Sequence, residues 1–276
     1  MINRNKQSIS IIMLTKNSAS HIKEALASVS WADEIIIVDS GSTDHTLHIC
    51  REFTNKITIT PDWPGFGVQK NRALAKATQD WVLELDSDEI VDPALARKIQ
   101  HLLVNPKHDG YKIKIIACFL DQKIRFSGWT KYKLRLFRRN QGQYDNSIVH
   151  EHLIYKGTSS GTLHQPICNH TCDHIEQLLD KSKNYILSGA AKRYARGKRS
   201  GLGKALLKAL LRAFKSYVLY LGFLDGRAGL MIAVGNFYQT FYIHAQLYYL
   251  QHNPQRKHGV QARHSEQNKP SGSKAP

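Results

Sequence analysis

An alternation of short β-branched runs with helix-spaced segments over residues 9–85 constrains this chain more than any other feature. Residues 9–14 are apolar but for Ser10, as in a strand covered on both faces, and residues 18–29 then set Ile22, Leu26 and Val29 on one side of a helix. Residues 34–38 repeat the strand and 45–53 the helix. Residues 57–59 read as a third strand, 71–78 as a helix behind the Gly65-Phe66-Gly67 loop, and 81–85 as a fourth strand. Strands and helices alternating at this spacing predict an α/β fold with a mostly parallel sheet flanked by helices.

Beyond Pro93 the rhythm changes. A helix is expected over 94–104, and the segments 111–117 and 133–139 alternate charged and apolar residues like half-exposed strands, which predicts an antiparallel portion. Helices are expected over 175–195 and 202–220. In the latter, Leu202, Ala205, Leu206, Ala209, Leu210 and Ala213 form an apolar stripe, with Lys204, Lys208, Arg212 and Lys215 on or beside the other face. Residues 253–276, rich in Pro, Ser, Gln and Lys, read as a disordered tail. No internal repeat is visible.

No export or membrane-spanning signal is read. The run at 9–14 is too short for a signal-peptide core and meets Lys16, and the apolar segment 230–243 is interrupted by Asn236 and Gln239 and falls short of a spanning length. Four cysteines in 276 residues do not suggest a secreted disulfide scaffold, so a reducing compartment is expected.

Charge divides the chain in two. Of 39 Lys and Arg and 22 Asp and Glu, giving a net +17, residues 1–100 hold 11 basic and 13 acidic side chains and residues 101–276 the other 28 and 9. Residues 181–215 carry eleven basic side chains and no acid. Such an excess points to an anionic partner: nucleic acid, a phosphorylated ligand or an acidic membrane surface.

In open α/β sheets ligands bind at the carboxyl ends of the strands. Three polar clusters fall there: Thr15-Lys16-Asn17, Asp39-Ser40-Gly41-Ser42-Thr43-Asp44 and Asp86-Ser87-Asp88. The first two also suit helix capping by Asn17 or Ser18 and by Ser42 or Asp44. Functionally, a carboxylate at Asp39 can accept hydrogen bonds from a base or ribose, while Gly41 permits close backbone approach. Asp86 and Asp88 place two hard carboxylates close enough to share Mg²⁺ or Mn²⁺ with a substrate diphosphate, and Glu89 beside them supports the pair; the bland alternative is a solvated acidic turn before Pro93.

These motifs, in this order, resemble glycosyltransferase family 2 with the GT-A fold: Ile9 to Asn17, Trp31 to Asp44, Gly65 to Asn71, and Leu85-Asp86-Ser87-Asp88-Glu89. In the second half Gly128-Trp129, Arg135-Leu136-Phe137-Arg138, Val149-His150-Glu151 and Gly222-Phe223-Leu224-Asp225-Gly226 resemble lipopolysaccharide core β-1,4-glucosyltransferases acting on the inner-core heptose. The resemblance covers residues 8–250. It implies a GT-A, Rossmann-like, mostly parallel mixed sheet followed by a helical basic C-terminal region. Residues 1–105 would be the nucleotide-sugar-binding half, 106–175 the acceptor-side half, and 176–252 a basic amphipathic helical region.

The resemblance also implies roles. Thr15, Lys16, Asn17, Asp39 and Ser40 would line the nucleotide pocket, with Asp39 reading the uracil; Lys70 and Asn71 would face the ribose or phosphates; Asp86 would serve both sugar nucleotide and metal, and Asp88 the metal, Mg²⁺ or Mn²⁺. Ser18 stands where many relatives have Glu, so no acid is assigned there. An inverting displacement needs a base for the acceptor hydroxyl, for which Glu151 is the candidate and His150 the runner-up, a structural salt bridge being the alternative for Glu151. The implied donor is a UDP-sugar, UDP-glucose first, and the acceptor a phosphorylated lipid-linked core oligosaccharide. The enzyme would be cytoplasmic, peripheral on the inner face of the inner membrane, and would contact an anionic membrane surface.

Other readings fare worse. A nucleic-acid binder gives Asp39, Asp86 and Asp88 no task near a polyanion. A scaffold with a decayed site would have lost the metal pair. Cys168-x-His170-x-Cys172-x-His174 on a strand spreads its side chains too far for one zinc ion, though His170 alone could contact metal or phosphate. Gly201-Leu202-Gly203-Lys204 lacks the spacing of a phosphate-binding loop.

Overall fold

The computed structural model describes residues 6–119, 122–148, 151–172 and 175–253. The chain divides into two compact units, Met1–Arg125 with Trp129–Thr171, and Phe126–Gly128 with Cys172–Pro276.

The first unit is built on a mixed sheet. β1 (Ile9–Thr15), β2 (Glu34–Asp39), β3 (Ile57–Ile59) and β4 (Trp81–Asp86) are its parallel half, with α1 (Ile22–Ala27), α2 (Thr46–Arg51) and α3 (Phe66–Lys76) between them. β5 (Glu89–Val91) and α4 (Pro93–Leu102) follow, then β6 (Gly110–Phe119), β7 (Gln122–Ile124), β8 (Lys131–Arg138) and β11 (Ser160–Cys172). The sheet order is β3-β2-β1-β4-β8-β6-β11-β5, with β7 on β6; β8 runs antiparallel to both β4 and β6, and β11 to β5. A separate hairpin pairs β9 (Gly142–Tyr144) with β10 (Leu153–Tyr155).

β1 is apolar on both faces, Ser10 and the terminal Thr15 apart, because both are covered. Ile9, Ile11 and Met13 join Ile22 and Leu26 of α1 and Leu95 of α4, while Ile12 joins Ala73 of α3, Phe137 and Tyr144 on the opposite side. The helix expected over 71–78 starts five residues earlier, at Phe66. Gly67 permits this, since a Cβ there would lie 1.8 Å from the Asp145 carbonyl oxygen. The first amides of α3 donate to that same segment, Phe66 N to Ile148 O at 3.1 Å and Gly67 N to Ser147 O at 3.2 Å. Cys50, Cys118 and Cys168 are buried.

The second unit is helical: α5 (Ile175–Ala195), α6 (Leu202–Phe214), a π turn over Lys215–Leu219, a 3-10 turn over Gly222–Asp225 and α7 (Gly226–His252). The segment 230–243 therefore belongs to one long helix. Its two supposed interruptions tie helices together, with Asn236 Nδ2 donating to Ser216 Oγ and Gln239 Nε2 to Ser182 Oγ, each at 2.9 Å. The stripe expected on α6 is split: Ala205 and Ala209 are buried, whereas Leu202, Leu206 and Leu210 are exposed. Apart from Asn253, the tail expected over 253–276 lies outside the described residues.

Candidate active site

The polar clusters lie where the order of strand addition reverses. β1 is the pivot: Thr15 is in register with Asp39 on β2, and Leu14 with Asp86 on β4. With β2 and β3 on one side of β1 and β4 on the other, the carboxyl ends of these strands form the topological switch point at which open α/β sheets hold ligands in a crevice.

On the β2 side Asp39 organises its own loop. Its Oδ1 accepts from the amides of Gly41 (2.9 Å) and Ser42 (2.8 Å), and its Oδ2 from the hydroxyls of Thr15 (2.8 Å) and Ser42 (2.5 Å). The carboxylate is fully buried and its acceptor positions are in use. Asn17 does not cap a helix. It sits in the left-handed region at φ 49°, and its Oδ1 accepts from Thr43 N at 2.8 Å, clipping the loop after β1 to the loop after β2. Ser40 is buried and its Oγ accepts from Gln69 Nε2 at 3.0 Å, while Lys16 is exposed. Ser18 donates its amide to Thr46 Oγ1 at 2.7 Å, and its hydroxyl lies 2.9 Å from Ser87 Oγ.

On the β4 side lies a buried charge cluster. Lys70 Nζ of α3 contacts Glu84, reaches Glu151 Oε1 at 2.5 Å and lies 3.8 Å from Asp86 Oδ1. Arg135 of β8 contacts Glu84 through Nη1 and donates through Nη2 to Asp86 Oδ2 (2.9 Å) and Glu89 Oε1 (3.0 Å). Tyr144 donates its hydroxyl to Glu84 Oε2 at 2.9 Å. Four carboxylates thus share two cations, and a net-negative floor results within a strongly basic chain.

The electrostatics follow from these contacts. Burial alone would raise the Asp86 carboxyl, but the charges of Arg135 and Lys70 outweigh it and hold the group below the usual carboxylate range. Burial pushes Glu89 up to about 7 against the pull of Arg135, with Asp86 and Glu84 adding to the rise. Burial would depress Lys70, yet Glu84 and Asp86 keep it above its ordinary value and therefore charged. Of the cluster, Asp86 is the group open to a ligand, its side chain being 40% exposed against 7% for Glu84 and 2% for Glu89.

Asn71 does not face this crevice. Its amide donates to Tyr144 O at 2.8 Å and accepts from Tyr144 N at 2.9 Å, pairing α3 to β9 as a strand would. His150 lies outside the described residues, whereas Glu151 is placed by its bond to Lys70, the salt bridge weighed from sequence. β11 flanks the Asp88 turn: His170 N donates to Asp88 O at 2.8 Å, Asn169 Nδ2 lies 3.5 Å from Asp88 Oδ1, and the His170 ring stacks obliquely on His21 at 5.2 Å. His174 of the discounted zinc pattern lies outside the described residues.

Among the described residues no group of three or more His, Cys, Asp or Glu is arranged around a metal position. Asp86 and Asp88 offer hard oxygen donors, one or two of which suffice for Mg²⁺ or Mn²⁺ when phosphates complete the shell. The donor set therefore fits a cation that arrives with a diphosphate.

Glu84, Arg135 and Tyr144 were not singled out from sequence as site residues. Glu84 did carry a signal: an acid inside the otherwise apolar run Trp81-Val82-Leu83-Glu84-Leu85 must find a buried cation. Which cation it finds depends on β8 pairing beside β4.

Residues 10–157 match glycosyl transferase family 2. The chain is 29% identical over 222 residues to an uncharacterized glycosyltransferase of Rickettsia prowazekii, covering 75% of this chain and 76% of that one. It is 24% identical over 270 residues to the lipopolysaccharide core biosynthesis glycosyltransferase LpsC of Rhizobium meliloti, covering 94% and 96%. Among solved structures it is similar to S. aureus TarS 1-349 in complex with UDP, with a TM-score of 0.47 and 15% identity over 90% of this chain and 92% of that one.

Proposed function

The chain belongs to glycosyl transferase family 2, and on that footing we propose that it moves a hexose, glucose from UDP-glucose, onto a heptose of a phosphorylated, lipid-linked lipopolysaccharide inner core, with inversion. The observation that carries this is the convergence of Thr15, Asp39 and Asp86 on the end of β1, beside a floor of four carboxylates and two cations. In support of the acceptor stand the second-half motifs and the near full-length likeness to LpsC.

Thr15, Lys16, Asn17, Asp39 and Ser40 form the wall for the nucleoside. A uracil N–H reaching Asp39 would replace the Ser42 hydroxyl, which can rotate away, while the Gly41 and Ser42 amides keep the carboxylate aimed. Lys70 and Asp86 face the ribose and diphosphate, with Asn71 fixing the helix that carries Lys70. Asp86 and Asp88 would hold Mg²⁺ or Mn²⁺, which supplies positive charge for the leaving diphosphate. That need is built into the floor, since excess carboxylate repels a diphosphate arriving alone. Glu151 takes the proton from the acceptor hydroxyl oxygen as that oxygen bonds to the sugar carbon and the bond to the diphosphate breaks.

The enzyme acts in the cytoplasm on the inner face of the inner membrane, where its basic second half meets anionic lipid. Calorimetric titration with UDP tests the donor site: binding is expected to require Mn²⁺ or Mg²⁺ and to disappear in Asp88→Ala. An Asp88→Ala protein that bound UDP and transferred sugar like wild type would sink the metal assignment. Mass analysis of purified lipid-linked core after incubation with a panel of UDP-sugars tests donor and acceptor together. A gain of one hexose from UDP-glucose is expected, and a product on another glycolipid or polysaccharide alone would replace the heptose reading.

A further inference from the structure

In the helical unit the leucines of α6 and of the bend that follows it are exposed rather than buried. α6 buries only its small residues Ala205 and Ala209, and α7 buries Ala228, Gly229 and Ala233 together with Ile232, Leu247 and Leu250. Gly229 is obligatory, since a Cβ there would lie 1.8 Å from the Gly222 carbonyl oxygen. Polar side chains also point inward, Asn236 to Ser216 and Gln239 to Ser182. At about 100° per residue the leucines of α6 fall on the face away from Ala205 and Ala209. Leu207 and Leu211 are 59% and 57% exposed, and Leu206, Leu210 and Phe214 are exposed beside them.

That face does not end with α6. A groove of about 420 Å³ lined by Leu210, Phe214, Val218, Leu230, Val234 and Phe237 joins it to the outer face of α7. The bend between the helices continues it with exposed Leu219, Leu221, Phe223 and Leu224. Backbone amides in the bend are satisfied locally: Tyr220 N bonds to Lys215 O, Leu221 N to Val218 O and Leu224 N to Leu221 O. Soluble monomers rarely expose contiguous apolar patches beyond a few hundred Å². Small residues and hydrogen bonds between helices, with leucines outside, are the packing used where the surroundings are hydrocarbon.

Among the described residues no single helix is long and apolar enough to cross a membrane, but Leu202–Leu219 with Gly222–His252, bent by 72°, is by length and composition a candidate broken span or re-entrant pair. The charge pattern selects between crossing and lying on the surface. Lys204, Lys208, Arg212 and Lys215 are exposed along one flank of α6, beside the leucine face, where they would meet headgroup phosphates while the leucines enter acyl chains.

We infer that the α6–α7 hairpin inserts its leucine face and bend into one leaflet of an anionic bilayer, so that the protein is held by apolar burial with its lysine row as a rim. This deepens the membrane contact proposed above, replacing a surface attraction with insertion.

Flotation of the full chain with phosphatidylglycerol–phosphatidylethanolamine vesicles tests it, because salt of about 1 M shrinks the Debye length to about 3 Å and removes charge attraction but not apolar burial. The protein is expected to float at both about 0.1 M and about 1 M NaCl. Leu206→Glu with Leu210→Glu and Leu211→Glu should lower the bound fraction about ten-fold or more at both. Lys204→Glu with Lys208→Glu and Arg212→Glu should weaken binding at low salt only. Tryptophan emission of Leu207→Trp should shift blue on vesicle addition and be quenched by brominated acyl chains.

Release of the wild type by high salt, or a Leu207→Trp signal that vesicles leave unmoved, overturns insertion. So does a concentration-dependent dimer by light scattering that the triple leucine variant abolishes without any wild-type flotation, for then a second copy covers the face. Metal-dependent UDP binding, measured on the triple leucine variant, keeps the two readings apart. It should match wild type, so a failure of insertion leaves the donor site standing, and its loss in both proteins would count against the donor site alone.

Discussion

Lys70 Nζ lies 2.5 Å from Glu151 Oε1, joining positions 81 apart in the chain and holding the proposed base against the same cluster that holds Asp86.

Glu151→Gln keeps the side-chain volume and an oxygen for Lys70 but removes the base. Steady-state transfer should fall about 100- to 10,000-fold in kcat while metal-dependent UDP binding stays near wild type. Wild-type turnover in this variant would assign Glu151 to structure and reopen the search for the base.

Arg135 reaches Glu84, Asp86 and Glu89 together. Arg135→Met leaves Glu84 and Glu89 buried without it and should cost about 3–5 kcal/mol, seen as a lower urea midpoint. Adding Glu84→Gln should restore part of the loss. Simple additivity of the two changes would contradict the coupling drawn between them.

Glu34 gives stability a defined acid limb. Burial would raise its carboxyl, but bonds from Lys56, Ser10 and Thr78 outweigh this and bring it down to about 2 from 4.5. Above pH 4.5 the group is ionised folded or unfolded, and its stabilisation is fully present. As pH falls from 4.5 towards 2 the unfolded chain binds the proton first and stability drops. The stability difference between wild type and Glu34→Gln should therefore shrink by roughly 1–3 kcal/mol over that window. Denaturant titrations with parallel slopes from pH 5 to pH 2.5 would contradict it.

Gly67→Ala sets a methyl against the Asp145 carbonyl, where a Cβ would be 1.8 Å from oxygen. Relief requires α3 to move from the segment preceding Glu151, so stability should fall by about 1–3 kcal/mol and transfer should weaken with it. Gly203→Ala is the control. Nothing lies within 4 Å of a Cβ there, and at an exposed position in α6 alanine should leave transfer unchanged and stability equal or slightly higher.

Much of the site was legible because its signals are local. Asp39 and Asp86 each end a run whose composition marks it as a buried strand, and Asp88 lies in the turn just after the second, so their place came with the strand. Asn71 shows where that reasoning stops. Its number next to Lys70 put it in the crevice, but in a helix adjacent residues point in different directions, and its amide serves the backbone of Tyr144.

By itself the sequence determined the parallel half of the sheet, the order of its helices, the acidic clusters at strand ends and the division of charge, since each depends on periodicity or composition within a short window. Only the tertiary structure decided that Arg135 and Lys70 converge on Glu84, that Glu151 joins them, and that α6 buries its alanines and presents its leucines. These outcomes depend on which distant surface lies against each side chain. A helical stripe of Ala and Leu fixes an apolar side without saying which part of it faces protein, and a buried acid demands a cation without naming its strand.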